Sequence, residues 1–164
     1  MTVHFEFASK ADLSQQMPRL FEILHGNMHE IAHSGRSYEE DYLEWYGSVF
    51  PAMQKAPRQM VLMQEEVRLI GFFMYYVNED RFVMEEIQLC RELQGKGVFK
   101  AFFGWLLPKL PRDVRWVEAY AHRDNLKSHG ILYHLGLVPT NADEAGEFFH
   151  FRGSFEAFEK SFSK

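Results

Sequence analysis

The chain has 164 residues, a length typical of one domain built around one hydrophobic core. Hydrophobic residues make up 46% and charged residues 25%, a balance that excludes a disordered chain and a fibrous repeat. The formal net charge of -5 argues against nucleic acid as the main partner, because neutralising phosphates requires a basic surface.

The single cysteine, Cys90, excludes an internal disulfide and is consistent with a reducing compartment. The amino-terminal segment alternates apolar and polar residues and has no apolar core of signal-peptide length. The longest apolar run, residues 72–77, is far shorter than the roughly 20 residues that span a bilayer. We therefore expect a cytoplasmic protein with no membrane partner.

The first third of the chain predicts one strand and two helices. Alternating apolar residues predict a strand over residues 3–7. Residues 9–12 have the form of a capping box, which predicts a helix from there to about His25. Residues 37–40 form a second capping box that opens a helix toward Pro51. Four aromatic residues share one face of this second helix: Tyr38, Tyr42, Trp45 and Tyr46.

The rest of the chain alternates strand and helix patterns. Turn-forming and helix-breaking residues separate these segments. In chain order the predictions are strands over residues 59–64, 68–77 and 81–90, a helix over 98–107, a strand over 115–121, a helix from Asn125 to Leu135 ended by Gly136, and a strand over 147–151. With the amino-terminal elements, this order predicts an α+β fold: a mixed, largely antiparallel sheet flanked by helices, in a single domain over residues 1–164.

A short helix capped by Ser154 ends the predicted order. It carries Phe155, Phe158 and Phe162 with helical spacing. This apolar stripe has to pack on its own sheet or on a second subunit, so a homodimer stays open.

The segment over residues 87–99 carries the clearest chemical signal. A strand ends, Gly95 and Gly97 turn the chain, and a helix begins at once. Glycines let backbone amides approach an anion, the helix start adds unpaired N–H groups, and Lys96 adds a cation. The P-loop spacing is absent, and the third glycine of a dinucleotide fingerprint would fall at Lys100. A phosphate-binding turn and an ordinary glycine-rich turn both remain open.

These residues resemble motif A of the GNAT superfamily of acyl-CoA-dependent N-acetyltransferases, which runs Arg/Gln-x-x-Gly-x-Gly/Ala. The matching segment is Gln94-Gly95-Lys96-Gly97-Val98-Phe99, with Phe99 in place of the small last residue. A second segment of that family is resembled by Asn125 and Ser128 and by the Gly-hydrophobic end of their helix. The order of elements is also similar to the GNAT fold over nearly the whole chain.

The resemblance implies acetyl-CoA as cosubstrate, and no metal is expected. It implies that backbone amides over residues 94–99 bind the CoA pyrophosphate, and that Asn125 and Ser128 belong to the same cofactor site. It further implies that the preceding strand splays from its neighbour and that backbone groups of Leu89 and Cys90 pair with the pantetheine arm. The acceptor, an amine of a small molecule or a protein, would attack the thioester directly, and fixed dipoles would stabilise the oxyanion.

Two candidates follow for the proton transfers that such a reaction needs. Glu85 is the first choice for the base, because strand alternation places it on one face with Ile87 and Leu89. Glu86 is the second choice, and an ion pair of either with Arg68 or Arg81 stays open. For the acid, the family's usual Tyr position holds Leu132, and Tyr133 follows one residue later. Tyr133 is therefore the candidate acid. Packing or a CoA contact is its other role left open, and the CoA thiolate can also leave without a dedicated donor. An acyl-CoA-binding sensor without turnover is the alternative function.

Three weaker patterns have ordinary explanations beside their functional ones. His25, His29 and His33, beside Glu30, have metal-chelating spacing, but surface histidines with that spacing are commoner. Cys90 could act as a nucleophile with His122, but a buried strand cysteine is the simpler interpretation. The acidic start of the second helix and its aromatic stripe suit a cationic acceptor, or an ordinary helix start and core face.

Overall fold

Seven strands and five helices make up the fold in the computed structural model, which describes residues 2–29, 31 and 33–163. Two short 3₁₀ turns, Arg91–Leu93 and Leu107–Lys109, flank the third helix. The elements in chain order are β1 (Val3–Phe7), α1 (Leu13–Met28), α2 (Tyr38–Met53), β2 (Gln59–Glu65), β3 (Arg68–Asn78), β4 (Arg81–Leu89), α3 (Val98–Leu106), β5 (Trp116–His122), α4 (Leu126–His134), β6 (Val138–Ala142), β7 (Phe148–Ser154) and α5 (Phe155–Lys160).

The strands form one sheet in the order β1-β2-β3-β4-β5-β7-β6. β1 pairs antiparallel with β2, and β7 pairs antiparallel with both β5 and β6. β4 and β5 pair in parallel, in a register that runs from Arg81 opposite Trp116 to Met84 opposite Ala119. The prediction of a mixed, largely antiparallel sheet flanked by helices is confirmed.

The chain divides into two compact units. Unit 1 comprises the residues up to Met74 together with Glu86–Val98, and unit 2 comprises Tyr75–Glu85 and the residues from Phe99 on. The core of unit 1 joins α1 and the end of α2 to strands β2 and β3 through Leu13, Met17, Leu20, Met53, Met60, Leu62, Phe72 and Met74.

Unit 2 has an aromatic core. The fully buried Phe158 of α5 contacts Phe82 and Phe103, with ring centroids 6.1 and 5.3 Å away, and Phe103 also lies 4.7 Å from Phe162. The phenylalanine stripe of the carboxy-terminal helix therefore packs inside its own unit.

Of the two predicted capping boxes, the structure contradicts one and confirms the cap of the other. The capping box predicted at residues 9–12 is wrong: α1 begins at Leu13, and the Asp12 side chain makes no capping bond. The Asp12 amide instead donates to the Ser9 carbonyl at 3.2 Å, so a backbone turn takes the place of the side-chain cap. The cap at Ser37 is confirmed, since its hydroxyl accepts from the Glu40 amide at 3.1 Å.

Strand β6 is absent from the predicted order. Its sequence, Val-Pro-Thr-Asn-Ala, has no apolar alternation, and all five residues are exposed. It lies at the edge of the sheet, where Pro139 can be accommodated because an edge strand does not need every N–H. A register shift between Pro139 and Asn141 breaks the regular pairing with β7. A search for apolar alternation therefore could not predict β6.

No helix in the described part of the chain is long and apolar enough to cross a membrane.

Candidate functional site

The glycine segment is an open loop with two left-handed residues. Gly95 has φ +75° and Gly97 has φ +83°, values that side-chain-bearing residues rarely adopt. A Cβ added at either glycine meets no heavy atom within 4 Å. Glycine is therefore required by backbone conformation rather than by crowding. Gly95, Lys96 and Gly97 are exposed, and α3 starts directly after them at Val98.

The end of β4, just before this loop, is held by side-chain amides. The Leu89 carbonyl accepts from Asn27 Nδ2 at 2.9 Å and from Gln94 Nε2 at 3.0 Å. The Cys90 amide donates to the Ile70 carbonyl on β3 at 2.9 Å, and the Cys90 carbonyl accepts from the Leu93 amide. Successive strand amides point to opposite sides, so the Leu89 N–H is directed away from β3.

The same amides continue as a chain of hydrogen bonds along β4. Asn27 Nδ2 also donates to Gln88 Oε1 at 2.9 Å, and Gln88 Nε2 donates to Glu86 Oε1 at 2.5 Å. Gln88 is one of the few buried polar residues, with 7% of its surface exposed. Asn27 and Gln88 were missed by the sequence analysis. The available signal was weak: an Asn in the last turn of a helix.

Cys90 lies in a cavity of about 220 Å³ beside three arginines. Arg19 Nη2 is 3.4 Å from the Cys90 sulfur, and Arg68 and Arg91 line the same cavity. Burial raises the pKa of the Cys90 thiol, and the charge of Arg19 opposes this shift. The neutral thiol is thus favoured, in line with a buried strand cysteine rather than an activated nucleophile.

In unit 2, Asn125 caps α4. Its Oδ1 accepts from the Ser128 amide at 3.1 Å, and the residue is 91% buried (9% exposed). Gly136, with φ +91°, ends the helix in the left-handed conformation, as predicted. The Asn and the residue three later, which the resemblance assigns to the cofactor site, are therefore joined by a helix cap.

The candidate proton donors and acceptors lie in different settings. Glu85 is half-buried and follows Met84, the last residue of β4 in the parallel register with β5. Leu132 is buried, whereas Tyr133 is 53% exposed, and its ring lies nearly perpendicular to that of Phe151 with centroids 5.9 Å apart. No helical irregularity exchanges these two directions, because α4 runs unbroken from Leu126 to His134.

The arginines considered as partners for the two glutamates have other carboxylates within reach. Arg68 Nη2 is 2.5 Å from Glu92, and Arg81 Nε is 3.4 Å from Glu118. Hydrogen bonding to Arg68 lowers the pKa of Glu92.

The aromatic face of α2 packs on α1. Phe21 lies 5.1 Å from Tyr38, 5.4 Å from Tyr42 and 5.4 Å from Trp45 between ring centroids. The stripe thus packs against α1, although Tyr38 stays 42% exposed and the other three aromatic residues are half-buried. Among residues 2–29, 31 and 33–163 there is no group of three side chains arranged to hold a metal, and Glu30, part of the histidine pattern, lies outside the described residues. His25 and His29 stack on each other with centroids 5.0 Å apart.

Comparison with known proteins rests on structure. No protein-family model matches the chain, and a search of curated protein sequences finds no match. Among solved structures, the PaiA N-acetyltransferase of Thermoplasma acidophilum in complex with coenzyme A superposes with a TM-score of 0.75, at 16% identity, over 94% of this chain and 100% of that one.

Other matches agree. A GNAT-family protein from Desulfovibrio desulfuricans gives a TM-score of 0.71 at 14% identity, over 93% of this chain and 99% of that one. The ribosomal-protein-S18-alanine N-acetyltransferase of Escherichia coli gives 0.62 at 14% identity, over 93% and 94%. The chain has the GNAT fold.

Within the GNAT fold, this chain departs from the motif pattern at two positions. Phe99, where the motif has a small residue, is half-buried in the first turn of α3. Leu132, where the family's Tyr is usual, faces the core of unit 2.

Proposed function

We propose that the protein is an N-acetyltransferase that moves an acetyl group from acetyl-CoA to an amine of a small molecule or a protein. The observation that carries this proposal is the glycine loop at the start of α3. Its two left-handed glycines leave the backbone over residues 94–99 open to solvent at Gly95, Lys96 and Gly97. Such a turn at a helix start suits a pyrophosphate, because the N–H groups and the helix dipole favour an anion.

The thioester is assigned to the Leu89 amide. The resemblance offers Leu89 and Cys90, but the Cys90 N–H already donates to Ile70. The Leu89 N–H points the other way and can donate to the thioester oxygen as negative charge develops there. The acceptor nitrogen forms its bond to the acetyl carbon, the carbon–sulfur bond breaks, and the CoA thiolate leaves.

Glu85 is proposed as the base that takes the proton of the acceptor ammonium. Glu86 is the competing candidate, supported by the Gln88 amide that holds its carboxylate. Glu85→Gln should lower kcat by about a hundredfold with little change in acetyl-CoA affinity, and Glu86→Gln should have the smaller effect. The reverse order would assign the base to Glu86.

Tyr133 is proposed as the acid that protonates the leaving thiolate. Tyr133→Phe should then lower kcat with little change in acetyl-CoA affinity. Unchanged kinetics in this variant would show that the thiolate leaves without a donor. Asn125 and Ser128 are proposed to shape the remainder of the acetyl-CoA site through their helix cap.

Two measurements test the function itself. Acetyl-CoA at millimolar concentration should raise the unfolding temperature, since a ligand that binds the native state stabilises it by mass action. Thioester consumption should then appear with part of an amine panel containing amino acids, polyamines and peptide amino termini. No thermal shift would overturn the assignment of acetyl-CoA.

A second function is an acyl-CoA sensor without turnover. The buried Leu132 and the exposed Tyr133 favour it, because they leave the usual acid position apolar. A thermal shift with acetyl-CoA but no turnover across the panel would support the sensor.

A cytoplasmic location and an amine acceptor remain part of the proposed N-acetyltransferase function.

A further inference from the structure

We propose that Asn27 is the positioning residue that locks the end of β4 to the glycine loop for binding of the acyl-CoA. This inference rests on the proposed function, because it assigns Asn27 a part in the same site. Asn27 stands on α1, far from both segments in sequence, and no motif includes it.

The Asn27 amide is fully used by this task. Its two N–H groups donate to the Leu89 carbonyl and to Gln88 Oε1, each at 2.9 Å. Its Oδ1 faces Gln94 Nε2 at 3.5 Å, the outer limit of a hydrogen bond. A flipped amide would place its oxygen against two acceptors, so these contacts fix its orientation.

Gln94 joins the same arrangement from the loop. Its Nε2 donates to the Leu89 carbonyl at 3.0 Å, so that carbonyl accepts from α1 and from the loop at once. Gln94 is the residue directly before Gly95, where the chain enters the left-handed conformation. Leu89 is the residue whose N–H we assign to the thioester. Asn27 therefore links the thioester position to the pyrophosphate position.

In this proposal Asn27 acts through its contacts with Leu89 and Gln94 rather than on the ligand itself. Its removal leaves the Leu89 carbonyl with one donor and takes from the buried Gln88 Oε1 the donor that Asn27 supplies. The expected result is a displaced loop in a folded protein, because α1 itself is anchored by the buried Leu13, Met17 and Leu20.

Asn27→Asp is the sharpest variant, since it keeps the shape and replaces both donors by an acceptor. At about pH 8 its dissociation constant for acetyl-CoA, measured by calorimetry, should rise about tenfold or more. As the pH falls toward about 5.5 the ratio to wild type should shrink, because a protonated carboxyl among carbonyl oxygens can again donate to Leu89. A residue needed only for overall stability would instead lower the unfolding temperature without ligand and leave the dissociation constant of the folded protein unchanged.

A double-mutant cycle gives a second, independent readout. Asn27→Ala and Gln94→Ala should each weaken acetyl-CoA binding, and their combined effect should differ from the product of the two by about threefold or more, since both donate to one carbonyl. Asn27 and Lys96 share no hydrogen-bond acceptor, so the factors by which Asn27→Ala and Lys96→Ala weaken acetyl-CoA binding should multiply in the double variant. Gln15→Ala, at an exposed position of the same helix, is the matched control and should stay within about twofold of wild type.

The outcomes separate the two proposals. Acetyl-CoA binding that is intact in wild type and unchanged in Asn27→Asp and Asn27→Ala overturns the role of Asn27 alone. Absence of binding in wild type overturns the proposed function and the role of Asn27 with it. Unfolding temperatures without ligand are measured for every variant, and the alanine cycle decides the matter if Asn27→Asp does not fold.

Discussion

His150 Nε2 lies 2.7 Å from Oε1 of Glu118, a carboxylate whose side chain is only 7% exposed. The other ring nitrogen, Nδ1, lies 2.5 Å from the Thr140 hydroxyl on β6. Arg81 Nε approaches the second Glu118 oxygen at 3.4 Å. A row of polar side-chain contacts thus connects four neighbouring strands, β4, β5, β7 and β6, in addition to their backbone hydrogen bonds.

Replacing His150 should destabilise the protein strongly. His150→Ala leaves the buried Glu118 without its shortest contact, and we expect a loss of about 3 kcal/mol in the free energy of unfolding, measured with urea. Lys160→Ala, which breaks the exposed ion pair with Glu156 on α5, is the control and should cost less than about 1 kcal/mol. Equal losses in the two variants would contradict this account.

Gly97 should be essential for ligand binding and only moderately important for stability. Gly97→Val forces a branched side chain into the left-handed region and should cost about 1–2 kcal/mol, although the space around it is open. Binding of acetyl-CoA, followed by thermal shift, should be abolished because the loop changes conformation. Gly104→Ala within α3 is the matched control, since its Cβ also meets open space and its backbone is helical. An unchanged shift in Gly97→Val would refute the phosphate assignment.

Cys90 should react slowly with iodoacetamide at neutral pH. Burial raises the pKa of its thiol, so little thiolate is present until the solution is alkaline. The rate should climb steadily above about pH 9, whereas the urea-unfolded chain should react fast already below that. Arg19→Met should slow the reaction further, because the charge of Arg19 lowers this pKa; Arg19→Lys should not. Fast labelling of the native protein at neutral pH would speak for an activated thiol.

Tyr75 should make the protein sensitive to alkali. Burial raises the pKa of its phenol from 10.0 to about 12. A folded-state pKa above the unfolded one means that the native state holds its proton more tightly. The protonated Tyr75 phenol therefore contributes fully to the free energy of unfolding below pH 10. This contribution is lost as the pH rises toward 12, which lowers the free energy of unfolding by about 2–3 kcal/mol. Urea unfolding between pH 9 and about 12 measures it. Tyr75→Phe should show a correspondingly shallower decline, and an identical pH dependence would contradict the assignment.

Local chemistry explains which parts of the fold were predictable. Ser37, Asn125 and Ser154 cap their helices as expected, since each side chain reaches an amide three residues away. The glycine segment was recognised for the same reason, because its conformation is set within a few residues. The failures, the cap at residues 9–12 and strand β6, are segments where a neighbouring strand or turn decided the outcome.

The sequence by itself therefore determined the glycine loop and, apart from β6, the order of elements, because both depend on short-range patterns. The GNAT-like arrangement followed from the resemblance of its motifs to that family. Only the tertiary structure brought Asn27 to Leu89, 62 residues away, and His150 to Glu118, 32 residues away. A polar residue on a helix or strand reads as an ordinary surface position until its partner is placed. Hydrogen bonds at such separations depend on where whole elements pack, and packing is decided by the core rather than by the polar residues it brings together.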